Sequence, residues 1–164
     1  MEFVKIELQN KSDITDLSNL ATSIIREHFD PLIGKAQNDY MLAKFQTVEA
    51  ITKQIEQGYQ YYFVRAEKEN IGFLAFYPRG EELYLSKFYL KKAQRGKGYS
   101  KKMLQFVIEQ AKNYGKRLIV LNVNKDNSAV KVYERLGFVR IREEENDIGQ
   151  GFFMDDFVYA YEIS

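Results

Sequence analysis

Between Leu83 and Ile108 the chain carries no Asp or Glu, yet it holds Lys87, Lys91, Lys92, Arg95, Lys97, Lys101 and Lys102. Inside that stretch a strand pattern, Glu82 to Leu90, gives way to a helical stripe of Met103, Leu104, Val107, Ile108 and Ala111. The join is Arg95-Gly96-Lys97-Gly98-Tyr99-Ser100. Glycines so placed let the backbone turn tightly, so that successive N–H groups can face one point, and the helix start adds partial positive charge. Charge alone suits a solvated basic turn equally well. After Gly115 the mostly apolar run Leu118 to Val123, flanked by polar residues, reads as a strand covered on both faces. Strand, turn, helix, strand is a βαβ unit, and it demands a locally parallel pairing.

The rest of the chain is organised around that unit. Val4, Ile6 and Leu8 alternate with Lys5 and Glu7 as a half-buried first strand. Ser12 and Asp13 are candidate N-caps for a helix carrying Ile14, Leu17, Ala21, Ile24, Ile25 and His28 on one face, which Pro31 and Gly34 are expected to end in a loop. A second helix is expected from Thr47 towards Gln57, burying Val48, Ile51 and Ile55. Tyr59 to Ala66 and Ile71 to Tyr77, separated by Glu67-Lys68-Glu69-Asn70, signal a hairpin, and Pro78-Arg79-Gly80 turns into the strand already described. Asn127 can cap a short helix with Val130, Tyr133 and Leu136, closed by Gly137. Phe138 to Arg142 and Phe152 to Ile163 read as final strands around a polar, acidic loop. The expected fold is α/β (α+β): one mixed, mostly antiparallel central sheet of about seven strands flanked by about four helices, in a single domain over residues 1–164.

Composition excludes several function classes. Zero Cys removes disulfides, thiolate metal sites and a cysteine acyl-enzyme, and a single His, His28, removes a multi-His zinc site, so no metal is expected. Twenty-four Lys and Arg against 23 Asp and Glu is too even for a general nucleic-acid or membrane-surface binder. No apolar run approaches transmembrane length, and Met1-Glu2-Phe3-Val4-Lys5 is not a signal peptide, so a cytoplasmic protein is expected. The glycine turn fits neither of two familiar phosphate loops. A Walker A spacing starts at neither Gly96 nor Gly98, and a dinucleotide Gly-x-Gly-x-x-Gly starting at Gly96 meets Lys101 at its last position.

Arg95 to Ser100 resembles the Gln/Arg-x-x-Gly-x-Gly/Ala loop of the GCN5-related N-acetyltransferases (GNAT). Downstream, Leu121-Asn122-Val123 followed by Asn127, Ala129, Tyr133 and Gly137-Phe138 resembles that family's next strand and helix. Ser100 departs from the pattern, where the family usually has Gly or Ala; a small hydroxyl fits and can itself bond phosphate. The resemblance implies an acetyl-CoA site. Phe88, Tyr89 and Leu90 would offer strand backbone to the pantetheine arm, and Arg95, Gly96, Lys97, Gly98, Tyr99 and Ser100 would wrap the pyrophosphate. Asn127 and Lys131 would reach the cofactor from the next helix. Tyr133 falls where the family places the tyrosine that protonates the departing thiolate.

The general base is less defined. Some members of that family carry Glu on the strand before the loop, at the position that matches Tyr84 here, which leaves Glu82, Ser86 or water. Of Asp155 and Asp156, neighbours on a strand, at most one can line an acceptor site. The N-terminal third, with Phe45-Gln46-Thr47 and Tyr61-Tyr62-Phe63, is similar to bacterial polyamine N-acetyltransferases, and a cationic amine suits the acidic residues Glu143, Glu144, Glu145, Asp147, Asp155 and Asp156. A small-molecule amine is therefore the expected partner, without nucleic acid or membrane and with room for a homodimer. A protein N-terminus or lysine as acceptor, and a non-catalytic acyl-CoA sensor, are the other readings.

Overall fold

The computed structural model describes residues 1–164. Its elements in chain order are β1 (Glu2–Lys5), α1 (Lys11–Ile33), α2 (Lys35–Phe45), α3 (Val48–Glu56), β2 (Gln60–Ala66), β3 (Glu69–Arg79), β4 (Glu82–Leu90), α4 (Tyr99–Asn113), β5 (Leu118–Asn124), α5 (Ala129–Leu136), β6 (Val139–Gly149) and β7 (Phe152–Glu162). The seven strands form one mixed sheet in the order β1-β2-β3-β4-β5-β7-β6, with five α-helices flanking it. Two compact units share the chain: Met1–Tyr77 with Lys87–Lys97, and Pro78–Ser86 with Gly98–Ser164.

In the first unit, α1 begins at Asn10 rather than at Ser12 or Asp13, because the Asn10 side chain accepts from the Asp13 amide at 3.1 Å and so satisfies an orphan N–H of the first turn. Ile14, Leu17, Ala21 and Ile24 are buried along its inner face, with His28 at the edge stacked edge-on against Phe29, ring centroids 4.9 Å apart. Pro31 does not end this helix. It sits in the last turn, which continues to Ile33 because Leu32 and Ile33 pack on the core, and Gly34, at φ 87°, redirects the chain straight into α2 where a loop was expected. The sequence hid α2 because its anchor is polar as well as apolar. Asn38 is buried and donates to Asp30 Oδ1 at 2.6 Å, and only Leu42 joins it in the interior.

Other expectations shift by small amounts. α3 is capped by Thr47, whose side chain accepts from the Ala50 amide, and it buries Ile51 while Val48 stays exposed at its first turn. β1 stops at Lys5, so Leu8 is exposed. The β2–β3 hairpin closes through Glu67 and Lys68, both at positive φ, which matches the right-handed twist of the flanking strands. Pro78 belongs to β3 rather than to the turn after it.

Gly72 on β3 is required by space. A Cβ there would lie 2.2 Å from the Tyr89 carbonyl oxygen of β4. Just beyond it, the Lys91 amide donates to the Ile71 carbonyl at 2.8 Å.

In the second unit, β4 and β5 pair in parallel, Glu82–Tyr84 against Leu118–Val120, with α4 as the crossover between them. β5 then pairs antiparallel with β7 over its whole length. The acidic segment is strand and not loop. β6 runs from Val139 to Gly149 and pairs with β7 to the two-residue turn Gln150-Gly151, both at positive φ. Glu143, Glu145 and Asp147 point outwards, and Glu144 and Asn146 inwards. The outward charge is offset by partners such as Lys125, whose Nζ lies 3.1 Å from Glu143. Backbone pairing with β7 thus holds a segment whose composition disfavours strands.

Replacing Gly72 with Ala should lower unfolding free energy by about 2 kcal/mol or more in urea denaturation, since backbone and not a flexible side chain must give way. A loss below about 0.5 kcal/mol would show that β3 and β4 do not approach as described.

Candidate acetyl-transfer site

The chain leaves β4 through a short 3₁₀ turn at Lys92–Gln94 and enters α4 through Gly96 and Gly98, at φ 78° and 80°. A Cβ on either glycine would meet nothing within 4 Å, so conformation and not space selects glycine here. Gly98 is the N-cap of α4 and supplies no side-chain acceptor, and no acid stands in the first turn. The first amides of a 15-residue helix therefore receive no side-chain cap, with Lys97, Lys101 and Lys102 exposed beside them. An anion has what it needs there: backbone donors, positive potential and open surface.

The remaining residues of the expected site fall in both units. Phe88, Tyr89 and Leu90 are the last three residues of β4; Leu90 is buried, and the Tyr89 ring packs on Phe73 and Phe29 at 5.4 and 6.2 Å. Arg95 turns back on this strand end, its Nη2 donating to the Leu90 carbonyl at 3.2 Å, so its guanidinium braces the turn. Lys87 is half-buried on the same strand, and desolvation pulls its ammonium down to about 8.

In the second unit Asn127 is 6% exposed and accepts from the Ala129 amide at 2.8 Å, which makes it the polar cap of α5 although the helix boundary falls at Ser128. Lys131 is exposed on α5. Tyr133 is 8% exposed, with its ring edge-on to Phe138 at 5.7 Å. Burial pushes its phenol well above the usual tyrosine range, so the hydroxyl is neutral at pH 7, as an ordinary tyrosine is, and is a weaker acid than one.

A polar cluster that the sequence did not reveal joins four strands of the second unit, β4, β5, β6 and β7. Tyr84 on β4 donates through Oη to Asn122 Oδ1 on β5 at 3.0 Å. Asn122 Nδ2 in turn donates to Glu144 Oε1 and Asp156 Oδ2 at 3.1 and 3.2 Å. A polar asparagine at the centre of the apolar run Leu121-Asn122-Val123, followed later by acidic segments, was the available signal. Glu82, by contrast, is engaged with Arg79 at 2.7 Å.

A family model described as the acetyltransferase (GNAT) domain matches residues 30–153. The chain belongs to the GNAT acetyltransferases. The PaiA N-acetyltransferase of Thermoplasma acidophilum, solved in complex with coenzyme A, is similar to it at 18% identity with a TM-score of 0.79, covering 99% of this chain and 100% of that one. A GNAT acetyltransferase of Elizabethkingia anophelis with acetyl-CoA bound matches at 15% identity and TM-score 0.65, covering 99% and 97%. A chimeric spermidine N-acetyltransferase derived in part from Vibrio cholerae matches at 17% and 0.69, covering 99% and 96%. At these identities the likeness establishes the fold. No curated protein matches the sequence. No helix is long and apolar enough to cross a membrane.

The displaced phenol carries a pH signature. A tyrosine whose folded pKa is raised contributes stability that is full below the unfolded value of about 10 and is lost as pH rises through the folded value. Because Tyr61 and Tyr159 are raised as well, spectrophotometric titration should find one fewer phenol ionising well above pH 10 in Tyr133→Phe than in wild type; an unchanged number of late-titrating phenols would contradict the burial of Tyr133.

Proposed function

We propose that the protein transfers an acetyl group from acetyl-CoA directly to a primary amine, with a small cationic amine such as a polyamine as acceptor. The observation that carries this reading is the uncapped start of α4, entered through two left-handed glycines among lysines, in a chain of GNAT descent. The residues fit a diphosphate-bearing substrate. Amides from Arg95 to Ser100 would hold the pyrophosphate, the lysines would add charge, and the β4 backbone at Phe88 to Leu90 would bond the pantetheine amides. Asn127 and Lys131 would contact the same substrate from the α5 side.

Without cysteine no cysteine acyl-enzyme forms, so the amine itself attacks the thioester carbonyl. The developing oxyanion would be met by the backbone N–H of Tyr89 or Leu90. Tyr133, neutral and protonated, would give its proton to the leaving thiolate. A thiol near pKa 8.5 needs modest help, so this group aids turnover without being indispensable. Acids on β6 and β7 support a cationic acceptor, and similarity to a spermidine acetyltransferase points the same way.

Acetyl-CoA at about 100 times its Kd should stabilise the fold by about 2.7 kcal/mol, roughly 5–10 °C in Tm, and Gly98→Arg should abolish that shift. Tyr133→Phe should keep the shift and lower kcat by about 10- to 100-fold. Absence of any shift in wild type would refute acetyl-CoA binding. A free-thiol assay across polyamines, other amines and peptides then assigns the acceptor; acetylation of peptides alone would favour a protein acceptor, and binding with no turnover a sensor.

A further inference from the structure

Asp156 is 7% exposed, and its two carboxylate oxygens are unequal. Oδ2 accepts from Asn122, whereas Oδ1 is buried and has no hydrogen-bond partner. The groups facing it do not neutralise it. Asn122 and Asn124 on β5 are amides, and Asn124 Oδ1 is already taken by the Asp126 amide. Glu144, directly opposite on β6, is an acid held by Arg142 Nε at 2.8 Å. Asp155 adds further negative charge, Lys125 is engaged with Glu143, and the Tyr84 hydroxyl donates to Asn122. An unpaired oxygen on a buried carboxylate is costly unless a donor arrives to meet it. Burial raises this carboxyl above the usual range, which makes its anion a better proton acceptor than an exposed aspartate.

Resting on the acetyl-transfer reading above, the reaction lacks one component, a base. A strongly basic aliphatic amine, with pKa about 10.4, is only about 0.1% unprotonated near neutral pH. We propose that Oδ1 of Asp156 accepts the surplus proton of the acceptor's ammonium, so that Asp156 is the general base and the acceptor is a primary amine that arrives protonated. The ammonium gives one proton to the carboxylate, and the freed lone pair attacks the thioester carbonyl. The C–N bond forms and the C–S bond breaks. The nitrogen's remaining extra proton balances the one delivered by Tyr133 to the thiolate, and Asp156 returns its own proton to water. Asn122 holds Oδ2, and Tyr84 holds Asn122; both are positioning residues. Asp155, its neighbour, is exposed on the opposite face and takes no part.

The test compares two primary amines at pH 7, one strongly basic and one carrying an electron-withdrawing substituent and therefore already unprotonated. Asp156→Asn should lower kcat/KM by about 100-fold or more for the first and by less than about 5-fold for the second, with the acetyl-CoA thermal shift retained. Equal losses on both amines, or no loss on either, would overturn the assignment, because a merely structural role does not distinguish protonation states. Should Asp156→Asn fail to fold, Tyr84→Phe keeps the ring and removes one hydroxyl. It should show a smaller deficit confined to the basic amine, and an equal effect on both amines counts against the proposal. Wild type without an acetyl-CoA shift would refute the acetyl-transfer reading itself, and this assignment with it.

Discussion

Two backbone torsions govern how this chain passes from sheet to helix. At Gly96 and Gly98 φ is positive, a region that costs any residue with a Cβ about 1–2 kcal/mol. With both satisfied, the strand that ends at Leu90 feeds α4 within a few residues, and α4 carries the chain back to lay β5 parallel to the start of β4. The same torsions leave the α4 amides without a side-chain cap. The geometry that makes the crossover therefore also makes the uncapped helix start on which the proposed anion site rests, and both depend on the absence of side chains at two positions.

A second constraint is the placement of one amide among acids. Asn122 offers its NH₂ to Glu144 and Asp156 at once and its carbonyl to Tyr84. A carboxylate or an apolar residue at that position would leave two acids facing each other on adjacent strands. Glu144 is lowered from its ordinary value, chiefly by its bond to Arg142, while burial moves Asp156 in the opposite direction. Two carboxylates directly opposite each other across a strand pair thus differ in proton affinity because one is buried away from water while the other is bonded by a guanidinium.

Much of this architecture was legible before any coordinates. The βαβ unit, the glycine turn, the cap at Asn127 and the ends of β4 follow from apolar periodicity and from residues with strong local preferences. α2 was not legible, since its buried residues are one Asn and one Leu and no apolar stripe marks it. The first part of β6 is legible in Phe138 to Arg142, but its continuation from Glu143 to Gly149 reads as loop because Glu143-Glu144-Glu145 has low strand propensity, and its ladder is set by pairing with β7. Pro31 misled for a related reason: a proline in the last turn removes one hydrogen bond, and the packing of Leu32 and Ile33 outweighs it.

Local chemistry alone determined where the backbone turns, which helix begins without a side-chain cap, and that the chain has no cysteine thiol to offer. Those properties belong to a residue and its immediate neighbours, through sterics and composition. Tertiary structure decided which of two adjacent aspartates is buried and that Asn122 stands between two acids. Such facts depend on strand register, where a shift of one residue exchanges the two faces. Register is set by burial and pairing summed over several strands, and no single segment carries that sum.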